Sequence, residues 1–148
     1  MSSFFWGCLM NNRNRNAIFL LSNAIIPLFL GLGIYFFMKS GTYINTFFEI
    51  DFDYTPKTII ERFIVNWLCD FLWSYSLVFA LYFVLSPFKN RLLISCIISA
   101  LLGLILELLQ GVNIMSGTFD WWDILIEFLA VFTATSILIK INHLSHKN

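Results

Sequence analysis

Residues 92–109, LLISCIISALLGLILELL, decide the fold: eighteen successive residues hold a single charged side chain, Glu107. As a helix this stretch rises about 27 Å at ~1.5 Å per residue, close to the ~30 Å hydrocarbon core of a bilayer. Ser95, Ser99 and Gly103 recur at every fourth position. Small side chains at that spacing lie on one helical face and let a neighbouring helix approach closely. Glu107 is the next residue in the series.

Three further apolar runs flank this one, at about 17–38, 63–85 and 122–139. The chain of 148 residues is 59% hydrophobic and 12% charged, about half the ~25% charge of a soluble domain. Lipid is therefore its solvent. The runs are twice the length of a barrel strand of ~9–11 residues. The expected architecture is all-α, a membrane-spanning bundle of about four transmembrane helices forming one domain over 1–148. The turn Ser86-Pro87-Phe88-Lys89-Asn90-Arg91 is short enough to make spans two and three an antiparallel hairpin. A formal net charge of zero gives no basic patch for nucleic acid. Cys8, Cys69 and Cys96 share no metal-type spacing, and the last two fall inside apolar runs, where a thiol acts as a small hydrophobe. Arg13 and Arg15 precede the first run as in a signal peptide, but the run exceeds the ~7–15 residues of a leader and no small-residue cleavage site follows. It reads as an uncleaved anchor.

Basic residues set an orientation. With both termini cytoplasmic, Arg13, Arg15, Lys89, Arg91, Lys140 and Lys147 lie inside and Lys39, Lys57 and Arg62 outside, as the positive-inside rule requires. Glu49, Asp51, Asp53 and Glu61 then fall in the first external loop, 39–62. Its Phe47, Phe48, Phe52 and Tyr54 suit either a solvated loop or one lying along the membrane interface. The expected location is the cell membrane, crossed several times.

Asp70, Glu107 and Glu127 lie in three different spans, where an ionised side chain costs ~2.5–3.5 kcal/mol near the bilayer centre. Such groups avoid lipid, and each falls toward the external end of its helix. Asn66, Asp70 and Ser74 form a polar stripe in span two, with Trp73 nearly on the same face. In span four Asp123, Glu127, Ala130 and Ala134 share a face. The three stripes predict an acidic cavity opening outward, lined by Asp70, Trp73, Glu107, Gln110, Asp120, Asp123 and Glu127. Each carboxylate alone is equally well read as a hydrogen-bonded packing residue near the headgroups. Asp120 is placed to cap the fourth helix, with Asp123 in its first turn. Trp67, Trp121 and Trp122 suit an external aromatic belt.

Glu107-Leu108-Leu109-Gln110, followed by Gly117-Thr118-Phe119-Asp120-Trp121-Trp122-Asp123, resembles the signature of the VanZ-like family of small bacterial membrane proteins. That signature is Glu-x-x-Gln at the end of one helix and Asp-x-x-Asp opening the next. Asp70-Phe71-Leu72-Trp73 resembles the acidic and aromatic element of the family's preceding helix. The likeness covers about 66–134. Gly117 stands where the family often has Arg, and Glu127 and Ala130 stand where it has Asn and Gly, so the chain would be a divergent member. The missing Arg removes a counter-charge, which makes a cation or cationic group a fitting ligand. The resemblance implies an envelope protein connected with teicoplanin susceptibility.

Three function classes fit these residues. The first is a non-enzymatic envelope protein whose acidic cavity binds a lipid or cell-wall headgroup, with membrane lipids as its surroundings. The second is an enzyme on a lipid-linked substrate, with Glu107, Asp120 and Asp123 holding Mg²⁺ or Mn²⁺ through hard oxygen donors. The third is a small proton- or ion-coupled transporter. His143 and His146 fall in the tail, away from the acids, and read as solvated.

Overall fold

The computed structural model describes residues 2–38, 57–112, 114 and 119–145. The aromatic loop with Phe47, Phe48, Phe52 and Tyr54, the loop positions Gly117 and Thr118, and His146 lie outside the described residues. Among the described residues there are four long helices: α1 (Ser2–Met38), α2 (Ile59–Val84), α3 (Arg91–Gly111) and α4 (Trp121–Ser145). Each holds a stretch long and apolar enough to cross a membrane, namely Asn16–Phe37, Ile59–Val84, Arg91–Gly111 and Trp121–His143. The chain is a multi-pass membrane protein.

The helix bounds differ from the expected spans where local hydrogen bonds override hydropathy. The first apolar stretch, Asn16–Phe37, matches the expected span, and helix α1 extends N-terminal of it to Ser2. Helix α2 starts at Ile59, four residues before the apolar run, because Thr58 and Glu61 build a capping box. The Glu61 N–H donates to Thr58 Oγ1 at 3.2 Å, and the Thr58 N–H donates back to Glu61 Oε2 at 3.3 Å. Two orphan donors of the first turn are satisfied together. Glu61 is thus a capping residue of α2 rather than a loop acid. Helix α4 continues to Ser145, so His143 lies in its last helical turn rather than in a tail, and is exposed as expected.

Neighbouring helices run antiparallel. Helix α1 lies along α2: Phe19 meets Phe79 edge to face at 6.4 Å, the Tyr75 hydroxyl donates to Asn23 Oδ1 at 2.7 Å, and the Cys69 thiol donates to the Gly31 carbonyl at 3.3 Å. The order of these pairs reverses along the two chains. Helices α2, α3 and α4 form the inner bundle, with Phe79, Val78, Ala130, Ala134 and Leu138 buried between them. At one end, the Tyr82 hydroxyl donates to Asn142 Oδ1 at 2.8 Å and the Arg91 guanidinium sits 4.2 Å above the Tyr82 ring. Lys89, Arg91 and Lys140 gather at this basic end. The opposite end carries the carboxylates.

Candidate functional site

The acidic end is built from α2, α3 and α4. The buried residues of α3 are Ser95, Ser99, Gly103 and Glu107, one every helical turn. Three small side chains bring α3 close to its neighbours, and the fourth places a carboxylate inside: Glu107 is 5% exposed. Its Oε2 accepts the backbone N–H of Asp120 at 3.4 Å, which ties the end of α3 to the start of α4.

Asp120 caps α4. Its Oδ1 accepts the Trp122 N–H at 3.0 Å, and the Asp123 N–H donates to the Asp120 carbonyl at 3.2 Å. Asp123 occupies the first turn. Glu107, Asp120 and Asp123 therefore surround the positive end of the α4 dipole, where carboxylates are favoured.

Glu127 lies one turn further along α4, against Gly103 of α3. A methyl group built on Gly103 would sit 2.6 Å from its Cδ and 3.0 Å from its Oε1. The missing side chain of Gly103 is the space that the carboxylate occupies. Glu127 is within coulombic range of Asp70, Glu107 and Asp123. Four carboxylates from three helices are thus brought together at one end of the bundle. Gln110 is partly buried near the end of α3. Among the described residues, no three of His, Cys, Asp and Glu are arranged to hold a metal ion.

One residue assigned to this site by the sequence, Trp73, lies elsewhere, and Asn66 leaves the polar stripe of α2. Ile64–Leu68 forms a turn of π-helix within α2. The wider turn breaks the four-residue spacing, so Asn66 is exposed while Ser74 is buried and Asp70 partly buried. Trp73 is 46% exposed and faces α1: its Cδ1 lies 3.5 Å from the position of a methyl group on Gly31. It follows Cys69 by four residues and shares that residue's face, not the face of the acids. The π turn ends two residues before Asp70, and such turns occur frequently at functional sites.

Aromatic rings ring this end. Trp67 lies 5.4 Å from Phe63 and 6.5 Å from Trp122, and Trp121 and Trp122 are exposed. Phe119 stands edge-on to Trp121 at 5.0 Å. Aromatic rings at a bundle end fit the depth of lipid headgroups. No protein-family model matches the chain, and comparison with curated proteins and with solved structures finds no similar one.

Proposed function

We propose that the chain is an envelope protein that uses its acidic end to bind an ammonium-bearing headgroup of a lipid or cell-wall precursor, without turning it over. The observation that carries this reading is the placement of Glu127 within electrostatic range of Asp70, Glu107 and Asp123 inside a hydrophobic bundle. A like-charged group of this kind costs free energy, and a cation at its centre offsets that cost. The aromatic rings of Trp67, Trp121 and Trp122 support a headgroup-level site, because they suit the interface and favour cations over their faces. Lys89, Arg91 and Lys140 at the opposite end support an outward-facing acidic end with cytoplasmic termini. The resemblance to the VanZ-like family supports the same reading, and makes teicoplanin susceptibility the cellular phenotype to measure.

The test is native mass spectrometry of the protein in mild detergent, titrated with phosphatidylethanolamine and with phosphatidylglycerol. Wild type retains the ammonium lipid preferentially. Glu107→Gln keeps an oxygen to accept the Asp120 N–H, so the fold persists while the preference falls by about tenfold or more, the weight of one charge-assisted hydrogen bond. Equal retention of both lipids by wild type would exclude the proposal.

A further inference from the structure

A second concave feature lies on another face of α2 from Asp70, where α1 leans on it. It is a groove of 310 Å³ between Leu21, Ala24 and Leu28 of α1 and Trp73, Ala80 and Val84 of α2. Its size is at the lower end of ligand pockets, which span ~300–1,000 Å³. The surface it presents is almost wholly carbon. Ser76 also lines it, but the Ser76 hydroxyl oxygen is itself buried.

The groove has a definite depth. From Trp73 to Val84 the helix rises about 16 Å at ~1.5 Å per residue, roughly half of a ~30 Å hydrocarbon core. It begins near the middle of α2 and ends beside the 85–90 turn, on the basic side. It therefore occupies the thickness of one leaflet. Both walls belong to membrane-spanning stretches, so the medium that reaches it is hydrocarbon. Water is excluded, since a stable water needs two to four polar partners. An empty groove would forfeit dispersion contacts along its wall.

We infer that this groove seats one acyl chain of a phospholipid from the leaflet on the basic side. The chain lies along α2 from Val84 to Trp73 and fills the gap that α1 leaves. Chain shape, not headgroup charge, governs its retention. The site is thus separate from the acidic end in place and in chemistry.

The test uses phosphatidylglycerol, whose headgroup carries no cation for the acids. Wild type in mild detergent is expected to retain one such lipid per monomer in native mass spectrometry. Ala80→Phe puts a ring into the groove and lowers retention by about tenfold, the effect of displacing two methylenes. Leu101→Phe, on an exposed face of α3, leaves it unchanged. A second measurement needs no groove-filling variant. Phosphatidylcholine brominated on its acyl chain quenches tryptophan fluorescence in wild type with a saturable component that is absent from Trp73→Phe. Equal lipid retention by Ala80→Phe and Leu101→Phe would overturn the inference. So would identical quenching curves for wild type and Trp73→Phe, or a lipid-free dimer that Ala80→Phe splits into monomers, which would mean that a second copy fills the groove.

Discussion

Replacing Gly103 with Ala separates the role of the Glu127 carboxylate from the stability of the bundle. The added methyl group would stand 2.6 Å from Glu127 Cδ and 3.0 Å from Oε1. Comfortable contacts begin near ~3.5 Å, and Glu127 Oε2 stands closer still and overlaps the methyl position, so the carboxyl group must withdraw by more than about 1 Å. It can do so, because it is the end of a flexible side chain and not backbone. Alanine also gains about 1 kcal/mol over glycine in a helix interior. These effects oppose each other, and thermal unfolding in mild detergent should stay within about 1 kcal/mol of wild type. Binding should respond differently. A displacement of this size breaks a charge-assisted hydrogen bond to an ammonium headgroup, worth ~1.5–3 kcal/mol, or roughly a 10- to 150-fold loss of affinity. Gly33→Ala is the control, since a methyl group there meets nothing within 4 Å. Phosphatidylethanolamine retention would be compared across the three proteins by native mass spectrometry. Unchanged retention in Gly103→Ala, with the fold intact, would refute the reasoning that Gly103 exists to admit the Glu127 carboxylate to a binding site.

Removing the Tyr75 hydroxyl leaves Asn23 without its donor, so Tyr75→Phe should weaken the attachment of α1 by about 0.6–1.7 kcal/mol, the range for hydrogen bonds between membrane helices. Increased proteolysis of α1 in detergent would report it, with the α2–α4 bundle still intact. Asp120→Ala should lower overall stability by about 0.5–2 kcal/mol through loss of the helix cap, while Asp120→Asn, which keeps an acceptor, should stay near wild type in thermal unfolding. A membrane-impermeant maleimide applied outside intact cells should label Trp122→Cys and spare Lys89→Cys; the opposite pattern would invert the orientation.

The parts of the fold that were legible are those set by composition and helical period. Four apolar runs mark four helices, and the four-residue spacing of Ser95, Ser99, Gly103 and Glu107 marks the buried face of α3. Asp120 as the cap of α4 followed from its residue type and position before an apolar run. One signal was present and unused: Thr58-Ile59-Ile60-Glu61 has the spacing of a capping box, and it starts α2 before hydropathy does. The π turn at Ile64–Leu68 has no comparable signature. Nothing in Ile64-Val65-Asn66-Trp67-Leu68 demands it, and it removes Asn66 from the stripe of Asp70 and Ser74. Trp73 was ambiguous for a different reason. It sits between the face of Asp70 and the face of Cys69, and the choice depends on where α1 lies, which periodicity within α2 does not encode. Glu127 against Gly103 was likewise invisible as a pair, because it needs the relative height of α3 and α4.

The acids at the end of the bundle are not equally supported. Glu107 accepts a backbone N–H, Asp120 caps α4, and Asp123 lies in the first turn, so all three draw on the helix dipole, whose influence fades beyond that turn. Glu127 is deeper. Among the described residues it accepts no hydrogen bond that would offset its charge, and its neighbours are other carboxylates. If its role were packing, Glu127→Gln would remove a useful interaction and lower stability. If its role is to meet a cation, the empty protein carries an uncompensated cost, and neutralising the side chain at constant shape should raise stability by about 0.5–2 kcal/mol while abolishing the preference for phosphatidylethanolamine. Opposite signs for stability and binding are the expected result. A variant that loses both together, in thermal unfolding and in lipid retention, would assign Glu127 to the architecture and take the charge from the centre of the proposed site.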